Sequence, residues 1–196
     1  VYLVIHEDCH DQFDLPYGVE EAVCEFVAYR AMAQFAEQRY RWYAGEGRAI
    51  RRYADEQAGF SRMTVLAYED LAKIYAKYER GEVTREAALR EREAFFARTA
   101  RTVGWTRGPL NNVGLANNMT YTRHYALVES VHEMMGRDLL ETVRFFRMVD
   151  AMKTPREVGM RRLKVPGEED IRFVKGYEEL VIDAARKLMQ QRGVTQ

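Results

Sequence analysis

Apolar side chains recur every three or four residues along most of the chain, the spacing typical of helices that pack on one face. In the segment 48–80 this stripe comprises Phe60, Met63, Ala67, Leu71, Ile74 and Tyr78. In the segment 168–191 it comprises Ile171, Val174, Tyr177, Val181, Ala184 and Leu188. No segment sustains the period-2 alternation of a half-buried strand, and the chain has only four prolines. The pattern predicts a mainly α fold.

Breaker residues divide this pattern into separate helices. The predicted helices span 1–13, 19–43, 48–80, 84–102, 110–135, 137–151 and 168–191. The second is predicted to bury Val19, Val23, Phe26 and Val27. Thr84 is predicted to cap the fourth helix, and Thr154-Pro155-Arg156-Glu157 is predicted to be a capping box.

Composition narrows the classes of protein that fit. The 196 residues suit a single domain, with its first two helices in 1–45, a long helical pair in 46–104 and the remaining helices in 105–196. Thirty basic and thirty acidic residues cancel, so charge favours neither nucleic acid nor an anionic membrane as partner. No run approaches the roughly 18 apolar residues of a membrane span.

The most specific chemistry lies in the first helix, where His6-Glu7-Asp8-Cys9-His10 is an HExxH motif. Two histidines at i and i+4 share one helical face and can ligate one metal ion. The glutamate between them points toward the open coordination position, where it can take a proton from water. The motif predicts a metal site of the kind used for hydrolysis.

A catalytic zinc site needs a third protein ligand, and the second helix supplies carboxylates for it. The turn at Pro16 and Gly18 lets that helix fold back on the first. Glu21 is the predicted ligand, and Glu25, one turn on, is predicted to orient a ligand histidine through its other ring nitrogen. Glu20 is the rival for ligation. An acidic helix N-terminus stabilised by the helix dipole is the structural alternative.

These motifs resemble a known class of enzyme. HExxH followed by Glu21-x-x-x-Glu25 resembles the gluzincin metallopeptidases, and Val19–Val27, Gly-Pro-Leu-Asn-Asn at 108–112 and Tyr121 resemble a bacterial family of zinc aminopeptidases. The resemblance covers most of the chain. It implies a zincin-like helical metallopeptidase domain that hydrolyses peptides with one Zn²⁺ held by His6, His10 and Glu21.

The resemblance also implies roles for the remaining polar residues. Zinc would polarise the scissile carbonyl and lower the pKa of a water toward ~7, while Glu7 acts as general base. Tyr121 is the first candidate for stabilising the oxyanion and His124 the second, with an aromatic core face as the alternative for their helix.

Three further residues are candidates for contacting the substrate. Asn111 and Asn112 are expected either to bind the substrate backbone or to cap a helix. Glu20 is the nearby acidic group for a free substrate amine.

Family members carry a long N-terminal portion, often behind a lipoprotein signal, that includes a substrate-holding sheet. This chain begins at Val1, so the resemblance implies a longer protein or a companion chain. It points to the cell envelope or periplasm.

Two other classes compete with the peptidase. A di-iron carboxylate bundle would use Glu7-x-x-His10 with Glu129-x-x-His132, but this assignment leaves His6 unexplained. The other is a catalytically silent helical scaffold or binding subunit that keeps zinc for its structure.

Cys9 and Cys24 each lie beside a candidate ligand. The sequence predicts two small, buried, reduced thiols, with a disulfide as the alternative.

Overall fold

Helices make up nearly all of the structure, a computed structural model that describes residues 1–40, 45–105 and 108–193. In chain order they are α1 (Tyr2–His10), α2 (Tyr17–Arg39), α3 (Gly45–Glu79), α4 (Arg85–Thr102), α5 (Asn112–Thr122), α6 (Tyr125–Met134), α7 (Leu139–Met152), α8 (Arg156–Leu163) and α9 (Ile171–Gly193). None of the described residues forms a strand, which confirms the mainly α prediction. Over the same ranges, no helix is both long and apolar enough to cross a bilayer.

One of the two predicted helix caps is confirmed. The Thr84 hydroxyl accepts a hydrogen bond from the Ala87 N–H at 3.2 Å, at the start of α4. The capping box at 154–157 is wrong, because α8 begins after Pro155 and no side chain caps it. The Thr154 carbonyl instead accepts a hydrogen bond from the Tyr177 hydroxyl at 2.6 Å.

The predicted continuous helix over 110–135 is also wrong, since α5 ends at Thr122 and α6 begins at Tyr125. His124 lies between them as the N-cap residue of α6, with φ −111° and ψ 5°. Its ring pairs with Glu178 of α9 at 3.3 Å. The apolar spacing continues across this break, so the local pattern does not reveal it.

The chain divides into two compact units, one formed by residues 1–54 with 124–196 and the other by residues 55–123. The first unit has α2 as its central helix, which contacts α1, α6, α7 and α9. Eight of the ten residues from Val19 to Ala28 are buried, and several of them are neighbours in sequence, as expected for a helix enclosed on several sides. They are Val19, Glu21, Ala22, Val23, Cys24, Phe26, Val27 and Ala28. The four apolar residues predicted to be buried in this helix are among them.

The second unit contains the later part of α3 together with α4 and α5. Its core consists of Ala67, Leu71, Ile74, Phe95, Phe96, Leu110 and Leu115. The predicted stripe of α3 therefore supplies three of the buried positions, whereas Tyr78 at its end is exposed.

Candidate metal centre

The candidate site lies on a helical hairpin formed by α1 and α2. Six residues, 11–16, connect the two helices, and Tyr2 contacts Glu25 while His6 contacts Glu21. The two helices are therefore antiparallel, because the later residue of α1 contacts the earlier residue of α2. This arrangement brings the HExxH face of α1 against the carboxylates of α2.

Three predicted ligand atoms converge in this hairpin. His6 Nε2 lies 3.2 Å from Glu21 Oε2 and 3.3 Å from His10 Nε2, and His10 Nε2 lies 3.8 Å from Glu21 Oε2. Zinc bonds of about 2.0–2.2 Å in tetrahedral geometry separate neighbouring ligand atoms by about 3.3–3.6 Å. The three separations in the structure, 3.2, 3.3 and 3.8 Å, lie within or close to this range.

The chemistry of the donors also fits a metal ion. Two imidazole nitrogens and one carboxylate oxygen form one of the ligand sets that zinc uses in catalytic sites. The side chains of His6 and Glu21 are each 8% exposed, whereas that of His10 is 26% exposed. The centre is therefore enclosed on the His6 side and open on the His10 side.

Each histidine presents Nε2 to the centre and has a carboxylate on its Nδ1 side. Glu25 Oε2 lies 3.7 Å from His6 Nδ1, where the predicted orienting residue should be. Glu20 Oε1 lies 2.8 Å from His10 Nδ1, and its Oε2 accepts a hydrogen bond from the Leu15 N–H at 2.8 Å. Glu20 therefore lies behind a ligand histidine with both of its oxygens engaged.

Tyr2 belongs to the site, although the sequence did not single it out. Its hydroxyl donates a hydrogen bond to Glu25, and its ring stacks on Tyr29 with centroids 4.7 Å apart. Burial raises the pKa of the Glu25 carboxyl, and burial and the bond to Glu25 raise the pKa of Tyr2. Tyr2 therefore stays protonated as a donor. The position of Tyr2 four residues before His6, on the same helical face, was the available signal.

Glu7, the predicted general base, lies on α1 between the two histidines and is exposed to solvent. A general base must reach both water and substrate, so exposure next to the candidate metal ligands in sequence is compatible with its predicted role.

Three predicted site residues lie in the other compact unit: Tyr121, Asn111 and Asn112. Asn111 Oδ1 accepts a hydrogen bond from the Gly114 N–H at 2.9 Å and caps α5, the structural alternative expected for it. Asn112 Oδ1 accepts one from the Tyr75 hydroxyl at 2.9 Å. The roles of these three residues toward a substrate remain predictions.

His124 lies in the same unit as the hairpin and is paired with a buried carboxylate. Its Nε2 is 3.3 Å from Glu178 Oε2, and Glu178 Oε1 accepts a hydrogen bond from the Gly18 N–H at 3.1 Å. The Glu178 carboxylate therefore links the start of α2 to α9 and to His124. Glu178 therefore gives His124 a structural partner near the N-terminus of α2.

The residues of the di-iron alternative contact other groups. Glu129 lies 3.8 Å from Arg30, and His132 Nδ1 lies 2.9 Å from the Thr142 hydroxyl. Burial lowers the pKa of His132. Across residues 1–40, 45–105 and 108–193, the potential ligands that converge are His6, His10 and Glu21, so this geometry does not favour a di-iron site.

The two cysteines are free and buried where α1 meets α2, as the sequence predicts.

No family model, no curated protein and no solved structure matches this chain.

Proposed function

We propose that this protein is a zinc-dependent peptide hydrolase in which His6, His10 and Glu21 hold the metal and Glu7 is the general base. The observation that carries the proposal is the convergence of two Nε2 atoms and one carboxylate oxygen at separations that suit tetrahedral zinc. The same helix carries a glutamate directly after the first ligand. Two of the three metal ligands and the base then lie on one short helix, α1, and the third ligand lies on α2.

Bound to this triad, zinc would supply a Lewis acid that activates water and polarises a carbonyl group. Glu7 takes the proton from the attacking water and afterwards passes it to the nitrogen of the leaving amine. Glu25 and Glu20 lie on the Nδ1 sides of His6 and His10, where acceptors favour the tautomer that leaves Nε2 free to bind a metal.

The resemblance of two segments to a bacterial family of zinc aminopeptidases supports the aminopeptidase class. The segments are Val19–Val27 and Leu-Asn-Asn at 110–112. Glu20 is a poor anchor for a substrate amine because His10 and the Leu15 N–H engage both of its oxygens. The donor set supports zinc hydrolysis more strongly than it supports exopeptidase cleavage.

A Glu7→Gln variant tests the proposal. It keeps the shape of the side chain and removes the base, so zinc content should stay at the wild-type level while peptide hydrolysis falls by about 10²–10⁴-fold. Hydrolysis is measured by mass spectrometry on a mixed peptide library with the zinc-loaded full chain.

Asp8→Asn is the matched control, since it removes one negative charge from the neighbouring exposed position of α1. It should retain activity. If wild type and Glu7→Gln both bind zinc and neither hydrolyses any peptide, the hydrolase proposal is contradicted and a zinc-containing scaffold becomes the better interpretation. Equal activity of the two would contradict the role of Glu7.

A further inference from the structure

Glu20 differs from the other carboxylates of the hairpin because two different groups hold its two oxygens. Oε1 lies 2.8 Å from His10 Nδ1, and Oε2 accepts a hydrogen bond from the Leu15 N–H at 2.8 Å. The Leu15 side chain is buried at the end of the loop between α1 and α2. The loop therefore fixes the orientation of the carboxylate, and the carboxylate in turn contacts the ring of His10.

This contact decides which nitrogen of His10 carries a proton. An ionised carboxylate can only accept hydrogen bonds, so the nitrogen facing Glu20 must be a donor. With its hydrogen on Nδ1, a neutral imidazole has a lone pair on Nε2, the atom that faces His6 and Glu21. The contact thus favours the metal-binding tautomer.

His10 needs such a contact more than His6 does. The His6 side chain is only 8% exposed and lies against the Tyr2 ring, with centroids 5.7 Å apart. The His10 side chain is 26% exposed, so packing restricts its ring less. A hydrogen bond from a fixed carboxylate supplies the restraint that packing does not.

We propose that Glu20 is a positioning residue for the metal centre, which holds His10 in the orientation and tautomer that bind zinc through a carboxylate fixed by the loop between α1 and α2. The inference rests on the proposed function for the existence of the metal site. It assigns Glu20 neither to the metal nor to the substrate amine. It also makes the Leu15 N–H part of the support of the site.

Glu20→Gln is the informative variant. Its amide has one acceptor oxygen, so it can satisfy the Leu15 N–H or the His10 Nδ1–H but not both, and its NH₂ group opposes the other donor. Zinc affinity, measured by competition with a chromophoric chelator, should fall about 10–100-fold. Glu37→Gln is the matched control because it makes the same change on α2 at an exposed pair with Arg51, and it should bind zinc as wild type does.

A second measurement reports the contact itself and uses the unmodified protein. In zinc-loaded, ¹⁵N-histidine-labelled wild type, the His10 Nδ1–H proton should give a downfield, slowly exchanging resonance because it is bonded to a carboxylate. A role of Glu20 confined to the loop would not produce this signal. If Glu20→Gln loses helix content by circular dichroism, this spectrum decides the question instead.

The two proposals fail in different ways. If wild type binds zinc and Glu20→Gln binds it within twofold of wild type, the positioning role is overturned and the metal site stands. Absence of a hydrogen-bonded His10 Nδ1–H in zinc-loaded wild type also overturns it. If wild type binds no zinc, the proposed function is overturned, and the role of Glu20 with it.

Discussion

At the scale of single residues, the two imidazoles of the candidate centre are held by different means. His6 is enclosed by packing against Tyr2 and lies 3.7 Å from Glu25. His10 is a quarter exposed and is held by its 2.8 Å contact with Glu20. A substitution at Glu20 should therefore affect metal binding through ring orientation, without any loss of buried apolar contact at the site.

The buried thiols give a residue-scale prediction. Cys24 is fully buried and Cys9 is 4% exposed, and the hydrogen bond with Cys9 and burial raise the pKa of Cys24. A raised pKa leaves less of the reactive thiolate, and burial blocks the reagent. Iodoacetamide at pH 8 should leave both cysteines unmodified in the folded chain and modify both in guanidinium, as counted by intact mass.

Glu179→Cys provides the matched control, because it places a thiol at an exposed position of α9. This thiol should be modified in the folded protein while the two native cysteines are not. Modification of Cys24 in the folded chain at the rate of the introduced cysteine would contradict the buried arrangement.

The convergence of the candidate ligand residues could be predicted from the sequence because their relation is local. His6 and His10 share a helical face through their i, i+4 spacing, and the loop to α2 has only six residues. The partner of Glu20 could not be predicted in the same way. Glu20 and Glu21 are neighbours about 100° apart on α2, and the rotation of α2 against α1 decides which of them faces the candidate metal centre and which lies behind His10.

At the scale of elements, α8 and α9 approach closely at Gly159. A Cβ atom at this position would lie 2.8 Å from the Tyr177 ring and 3.4 Å from Phe173. The Tyr177 ring cannot move away easily, since it stacks on Phe173 and its hydroxyl bonds the Thr154 carbonyl. The contact between these helices therefore depends on the absence of a side chain at Gly159.

Gly159→Ala should destabilise the protein by about 1–3 kcal/mol through overpacking, offset in part by the helix preference of alanine. The matched control is Gly59→Ala within α3, where a Cβ would meet nothing within 4 Å. That change should stabilise by up to about 1 kcal/mol. Thermal unfolding followed by circular dichroism compares the two, and a Gly159→Ala melting temperature at or above wild type would contradict the close approach.

The helices themselves were largely predictable, because apolar spacing and breakers are local signals. The break between α5 and α6 was not, because His124 pairs with Glu178, 54 residues away in sequence. The predicted cap at Thr154 failed in the same way, since the Thr154 carbonyl accepts a hydrogen bond from Tyr177 of α9. Contacts between distant segments override local preference at these two positions.

At the scale of the whole molecule, the candidate metal ligands all belong to the unit formed by residues 1–54 and 124–196. Tyr121, the predicted oxyanion donor, belongs to the unit formed by residues 55–123. Metal binding is therefore predicted to depend on side chains of the first unit alone. Zinc binding can be tested separately from catalysis, because it needs neither Tyr121 nor a substrate.

We propose that His6, His10 and Glu21 form one zinc site, and the zinc stoichiometry of the full chain tests this claim. Wild type, Glu21→Ala and Asp8→Asn would be dialysed against buffered zinc, and their zinc content would be measured by inductively coupled plasma mass spectrometry. The prediction is one zinc per chain in wild type and Asp8→Asn, and a large loss in Glu21→Ala because only two ligands remain. Wild type without zinc, or Glu21→Ala with as much zinc as wild type, would contradict the claim.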